Sequence, residues 1–249
     1  MNERDYHDHH YAVEAAAIES SALFARVHRR TAREFLRRSG IGPGHRVLSL
    51  GCGDGAIEQL LAPQVGELVG IDVSGVAVER ARARARNAGL RNLSFLVSEG
   101  NAPRFGELGR FDAIAAFAFL HHLRDGAIGE TLAAARDVLR PGGVFYSIDP
   151  SRRRLVGLFT GLVRASYERH HSPDERELDP GVLAALASGA GLAPTVGYVD
   201  YFLGPLAWLA PGTPRWLTPA LEALDNAALA VPPLRRYASS FSLLARVRA

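Results

Sequence analysis

The chain has 249 residues, 47% hydrophobic and 22% charged, enough for one α/β domain that buries roughly 70–75% of its extended surface. All 29 basic residues are arginine, which excludes a Schiff-base lysine, a phosphate-loop lysine and the Tyr-x-x-x-Lys pair of many dehydrogenases. A net charge of +3 without a clustered basic patch argues against nucleic acid as a partner. Cys52 is the lone cysteine, so no intrachain disulfide can form. The polar start MNERDYHDHHY lacks an apolar export region, and no apolar run reaches the roughly 18–20 residues of a membrane span. A cytoplasmic protein is the expectation.

The first eleven residues, rich in His and Tyr, read as a mobile polar arm rather than a metal site, and no metal is expected. From Ala12 to Arg38 the pattern is helical. Phe24, Val27, Thr31 and Phe35 recur at spacings of three, four and four with arginines opposite, and Gly40 with Gly42-Pro43-Gly44 ends the run. Next comes VLSLGCGDG. Its apolar strand, Arg46–Leu50, runs into Gly51, Gly53 and Gly55, and a helical pattern opens at Ala56 and continues to about Leu61. Glycine lacks a Cβ and tolerates positive φ, so such a turn exposes backbone N–H groups at the end of a parallel strand. A second strand, Leu68–Asp72, ends in a carboxylate placed to accept the hydroxyls of a ribose. Gly51, Gly53 and Ala56 equally satisfy the dinucleotide pattern G-x-G-x-x-A, so an NAD-dependent oxidoreductase stays open at this point.

Ser74 is a plausible N-cap for a helix to Ala88, closed by Gly89. Its Arg80, Arg82, Arg84 and Arg86 fall on two faces and read as solvated surface. Strands follow at Leu93–Ser98 and Phe111–Ala116, then a helix from Asp125 that stops before Pro141-Gly142-Gly143, then a strand at Val144–Asp149. Strands alternating with helices argue for a parallel, doubly wound sheet. Ser151–Tyr167 reads as an amphipathic helix, 170–175 as a loop, and Asp179-Pro180 as the opening of a short helix. Thr195–Tyr201 and Phe241–Val247 supply strands six and seven. Between them, 202–239 is apolar and broken by prolines, too long and too hydrophobic for a loop. It is expected to form either a helical cap completing the core or a lid presenting an apolar wall, with Trp208, to a hydrophobic acceptor. Lacking a basic amphipathic face, it is not expected to bind a membrane.

VLSLGCGDG followed by GIDVS resembles the first two motifs of class I S-adenosylmethionine (SAM) dependent methyltransferases. SEGNAPRF, FDAIAAFAFLHHL and LRPGGVFYSIDP resemble the next three, in the family's order and spacing, over roughly residues 46–150. The similarity is closest to the small-molecule and quinone-type members. It implies a Rossmann-like, doubly wound, seven-stranded and mostly parallel sheet with helices on both faces. The whole chain, 1–249, would be a single domain: a helical cap (1–45), a SAM-binding core (46–150) and an acceptor-side region (151–249) carrying the insertion.

The resemblance also implies residue roles. Gly51, Cys52 and Gly53 would line the methionine part of SAM, Asp72 would hold the ribose and Val73 would press on the adenine. Asn101 stands where the family commonly has Asp, and with Ala102 would meet the adenine amino group. Ser49 stands where the family prefers an acid for the cofactor's ammonium; Asp54 or an amino-terminal residue is expected to compensate. Phe117 and an amino-terminal tyrosine, Tyr11, would complete the cofactor site. Tyr167, His170 and His171 lie in the stretch that borders the acceptor pocket. His121 and His122 follow strand four and Asp149 ends strand five, at the rim where ligands sit. These three are the catalytic candidates, with a base and a structural role both open for the histidines. The expected activity is methyl transfer, with S-adenosylhomocysteine (SAH) as product, to a small apolar acceptor, oxygen favoured. The alternatives are the oxidoreductase, a non-catalytic SAM-binding protein, and a protein that binds SAM for a different outcome.

Overall fold

The computed structural model describes residues 3–13, 20–98, 103–155 and 175–248. The amino terminus is a helix, α1 (Glu3–Val13), and not the expected mobile arm. What fixes it is tertiary: Asp8 accepts hydrogen bonds from the Ser74 hydroxyl and the Val76 N–H. A second helix, α2 (Ala22–Ser39), is set off within the expected helical stretch by Ser21, which takes the N-cap and accepts from the Phe24 N–H. Its predicted apolar face is the buried one, with Phe24, Thr31 and Phe35 inside.

From there strands and helices alternate. The core comprises β1 (Arg46–Leu50), α3 (Glu58–Leu61), β2 (Glu67–Asp72), α4 (Gly75–Asn87), β3 (Leu93–Val97), β4 (Phe111–Phe117), α5 (Asp125–Val138) and β5 (Leu139–Pro150). After the undescribed stretch 156–174 come α6 (Pro180–Gly189), β6 (Leu192–Asp200), α7 (Leu203–Leu209), α8 (Thr218–Ala230), α9 (Pro232–Arg235) and β7 (Ser240–Val247). The expected helix at 151–167 falls mostly outside the described residues. Strand five begins five residues before its expected start. Leu139 already pairs with Phe111, and the register slips across Pro141-Gly142-Gly143 before Val144 meets Ala113.

The seven strands form one sheet in the order β3-β2-β1-β4-β5-β7-β6, with β7 antiparallel to both neighbours. Because side chains alternate along a strand, the sheet feeds two cores. Leu48, Leu50, Ile114, Phe145 and Phe241 pack toward α5 and α6, and Val47, Ala113, Ala115, Val144 and Tyr146 pack toward α2, α3 and α4. Covering on both faces explains why β1, β2 and β4 read as continuous apolar runs. Strand order reverses between β1 and β4. At such a switch the connecting loops diverge and leave a crevice outside the carboxyl ends of the strands.

The insertion 202–239 is helical and seated on α2. Leu203 and Ala207 bury against Leu23 and Phe24, and Glu222 of α8 meets Arg26, Arg33 and Arg30 at 2.9, 3.5 and 3.8 Å. Asp225, fully buried, accepts from the N–H groups of Tyr201, Phe202 and Leu203, and so caps α7 from a distance. Among the described residues no helix is long and apolar enough to cross a membrane.

Phe35 joins α2 to the sheet. Its ring is fully buried and meets Phe117 and Tyr146 edge-on at 5.7 and 5.4 Å. Phe35→Ala should therefore lower the unfolding free energy by about 3–5 kcal/mol, measured by urea denaturation, whereas truncating the exposed Trp216 should leave it nearly unchanged.

Candidate functional site

The crevice at the β1/β4 switch is built first from the glycine turn. Gly51 and Gly53 have φ of 65° and 53°, in the left-handed region that side chains avoid. Space forbids a side chain as well: a Cβ on Gly51 would strike the Phe119 ring, and one on Gly53 the Tyr11 hydroxyl. The turn is held by Asp72. This buried carboxylate accepts from the Gly53 N–H at 2.8 Å and the Ser74 N–H at 2.9 Å. It thereby ties the loop after β1 to the loop after β2. Burial raises its pKa against the lowering by those two N–H groups. Ser74 in turn caps α4, accepting from the Ala77 N–H.

Under the same turn lies a carboxylate that the sequence reading missed. Glu58, in the first turn of α3, is 2% exposed and accepts from the Ser49 hydroxyl at 2.6 Å. Burial pushes its pKa up to about 7, against the hydrogen bond from Ser49, and the charges of Asp54 and Asp72 push the same way. The acid absent at position 49 is thus supplied nine residues on. Asp54, the compensation expected, is instead paired with Arg84 at 2.8 Å, so this arginine is a partner of the loop and not solvated surface. Cys52 sits buried within the turn, its thiol pKa raised by burial and by Glu58. Val73 is half-buried beside Asp72.

Helix α1 crosses this rim. Besides the Asp8 contacts, Tyr11 reaches the turn at Gly53, and burial with the nearby Asp72 charge raises its phenol pKa. His7 lies edge-on to His122 at 5.1 Å between ring centroids. His10 faces Trp208 at 6.2 Å, and Trp208 stands edge-on to Phe24 at 4.9 Å. The arm therefore touches the glycine turn, the histidine pair and the insertion. Phe117 points elsewhere, into the core beside Phe35 and Tyr146; Phe119 is the aromatic over Gly51.

The histidine rim is the third part. Beyond β4 the chain turns sharply, with Ala118 at φ 50°, and a short 3₁₀ turn spans Leu120–His122. His121 is buried, its backbone N–H and Nδ1 both 3.2 Å from Asp149 Oδ1. Its Nε2 lies 3.3 Å from Glu175. The Arg176 N–H donates to the His121 carbonyl and the Arg176 guanidinium to the Leu123 carbonyl, which staples the Glu175 segment to the turn. Against the opposing effect of burial, the two carboxylates push the His121 pKa up to about 9. His122 is half-buried, its ring 4.2 Å from that of His121. Asp149 Oδ2 is buried and meets no donor among the described residues.

Of the expected site residues, Tyr11, Ser49, Gly51, Cys52, Gly53, Asp72, Val73, His121, His122 and Asp149 share this carboxyl-end rim, and Trp208 borders it through α1. Asn101, Ala102, Tyr167, His170 and His171 lie outside the described residues. Glu58, Phe119, Glu175, Asp8 and His7 were missed. A faint signal existed for Glu58 alone, an acid one helical turn past the last glycine.

An acidic, cation-seeking cradle beneath a bare backbone turn fits a cofactor with a ribose at one end and an ammonium and sulfonium at the other. Residues 47–143 match the model of a methyltransferase domain. A ubiquinone biosynthesis O-methyltransferase of Xylella fastidiosa is 29% identical over 160 residues, which cover 60% of this chain and 61% of that protein. For curated relatives the match reaches only about half of their length, 52% and 45% in two of them. Among solved structures, a chain of the complex between the Haloferax volcanii Trm112 methyltransferase activator and a methyltransferase superposes with a TM-score of 0.69 at 20% identity, over 100% of both chains. Magnesium protoporphyrin IX methyltransferase from Synechocystis, with SAH bound, gives a TM-score of 0.59 at 14% identity over 89% of this chain and 84% of that one. Residues 47–143 thus match a methyltransferase domain, and the chain has the fold that these solved methyltransferases share.

Proposed function

We propose that this protein transfers a methyl group from SAM to a hydroxyl oxygen of a small, apolar acceptor. The observation that carries the reading is the sign of the charge around the glycine turn. Asp54, Glu58 and Asp72 all lie near enough to act on one another or on Tyr11 and Cys52, and the described cation paired with them is Arg84 on Asp54. A dinucleotide would bring a doubly charged pyrophosphate to this turn, over the buried carboxyls of Glu58 and Asp72. SAM brings an ammonium and a sulfonium. Electrostatics therefore favours SAM over NAD, and the absence of lysine removes the commonest hydride-transfer dyad as well.

In this reading Gly51, Cys52 and Gly53 line the methionine part, and Ser49 with Glu58 meets its ammonium. Asp72 accepts from the ribose with the lone pairs its two backbone contacts leave over. Val73 and the Asn101-Ala102 segment flank the adenine, and Tyr11 closes the pocket from α1. The cofactor supplies an activated methyl on sulfur, and the protein's part is alignment, which alone can contribute roughly 7–11 kcal/mol. The acceptor lies against the rim of His121, His122 and Asp149, with Trp208 as its apolar border. Both ring nitrogens of His121 face carboxylates, so His121 orients the rim and does not take the acceptor proton. The O-methyltransferase among the relatives supports oxygen as the acceptor atom. The docking of α7 and α8 on α2 supports the insertion as a wall completing the pocket, with α1 as the part that must move to admit ligands.

Calorimetric titration with SAH and, in parallel, NADH tests the cofactor. SAH should bind and NADH should not, and Asp72→Ala should weaken SAH at least about 100-fold, since it removes both a ligand and the brace of the turn. Binding of NADH in place of SAH would overturn the reading. Transfer of labelled methyl to a panel of phenols and hydroxylated lipids tests the acceptor; turnover confined to amines would move the acceptor atom to nitrogen.

Glu58 makes a separate prediction. Its folded pKa of about 7 exceeds its ordinary 4.5, so the folded protein holds more protons between those values. The ligand-free protein should lose on the order of 3 kcal/mol of stability from this group as pH rises from about 4.5 to 7. Glu58→Gln should abolish that slope in denaturant titrations. SAM affinity should change in the opposite sense, rising with pH through about 7 in the wild type and falling about tenfold in Glu58→Gln.

A further inference from the structure

The geometry points to a divalent-metal site at the acceptor rim, formed by His121 Nε2, His122 and Glu175 and suited to a zinc-class ion. This departs from the expectation of a metal-free protein. One ligand atom from each of the three lies within 4.8 Å of the other two. Around a tetrahedral zinc with bonds of about 2.0–2.1 Å, ligand atoms sit about 3.3 Å apart, and Nε2 of His121 is already 3.3 Å from the Glu175 carboxylate. The third ligand atom, on half-buried His122, lies within the same 4.8 Å.

Two further features fit a metal centre. Asp149 Oδ1 holds His121 from behind, at Nδ1, which directs Nε2 outward at Glu175. That is the carboxylate–histidine–metal arrangement that fixes tautomer and ring orientation in zinc sites. Finally, His122 converges on the same point, although a proton shared by His121 and Glu175 has no use for a third donor. Two imidazoles and one carboxylate are a ligand set for zinc and for other borderline divalent ions, and three protein ligands leave a coordination position open. His7 of α1 adjoins His122 beside this cluster.

What the ion does there rests on the methyl-transfer reading: it would bind the acceptor's oxygen and ease loss of its proton. The acceptor would then be a phenol or hydroxy-ketone able to offer an oxygen anion to a metal. Whether the ion binds does not depend on that reading.

Titration of untagged, chelator-treated protein with Co²⁺, followed by visible absorption, tests the site, with SAH calorimetry on the same preparations. One cobalt per chain should bind with tetrahedral d–d bands, and zinc should displace it. His122→Ala and Glu175→Gln should weaken binding at least about tenfold, and Asp149→Asn about 10–100-fold through the ligand it orients. The double variant His9→Ala/His10→Ala, which clears the amino-terminal histidines outside the cluster, should bind as the wild type does. Protein that binds SAH yet gives no cobalt bands overturns the proposal, as does cobalt binding that survives His122→Ala and Glu175→Gln or is lost in the His9/His10 variant. Cobalt binding without SAH binding would uphold the site and remove the methyl-transfer reading instead.

Discussion

Everything at the carboxyl end of this sheet hangs on the two hydrogen bonds accepted by Asp72. Gly53 and Ser74 belong to loops that leave neighbouring parallel strands in diverging directions, and Asp72 holds both. A buried carboxylate that accepts two backbone N–H groups is a strong clamp, because each bond is charge-assisted and shielded from water. The glycines of the turn are then required twice over. Their positive φ lets the chain double back to reach Asp72, and their bare surface lets Tyr11 and Phe119 close to contact.

The clamp also explains why the polar amino terminus is a helix here. Ser74, positioned by Asp72, offers its hydroxyl to Asp8, and α1 lies across the rim on that anchor. An isolated helix of eleven residues this polar would be marginal in water, so its order is borrowed from the site it covers. Its other contacts, Tyr11 on the glycine turn and His7 on His122, are with parts that ligands would occupy.

The sheet was legible in the sequence because its central strands are buried on both faces, and strands of that kind write themselves as unbroken apolar runs ended by glycine or aspartate. The caps were legible too: Ser74 and Asp179 hold the positions their neighbours predict. What escaped was whatever depends on partners distant in sequence. The break before α2 comes from Ser21, whose hydroxyl also donates to the Pro211 carbonyl 190 positions away. Pro141-Gly142-Gly143 reads as a stop, yet the strand runs through it with a slipped register. Glu58 escaped for another reason. An acid in the first turn of a helix favours the positive end of the helix dipole, so sequence offers a sufficient surface explanation and hides that this one is buried beneath the site.

Ser49 and Glu58 together show how an acidic function can move without leaving its place. Ser49 is fully buried on β1, and Glu58 rises to it from the following helix, so the carboxylate lies where a strand-borne acid would put it, one hydrogen bond further along. Relocation changes the energetics. An acid on a longer, helix-borne side chain reaches the same point only by giving up solvation, and its raised pKa is the measure of that loss. A cation arriving beside it recovers much of the loss. The glycine turn is thus least comfortable when empty, and the tension is of the sign that an ammonium and a sulfonium relieve and a pyrophosphate aggravates. Across the crevice His121 sits between two carboxylates of its own. The two halves of the rim thus differ: beneath the glycine turn the buried carboxyls lack such a partner among the described residues, whereas the two carboxylates at the histidine turn push the His121 pKa up to about 9.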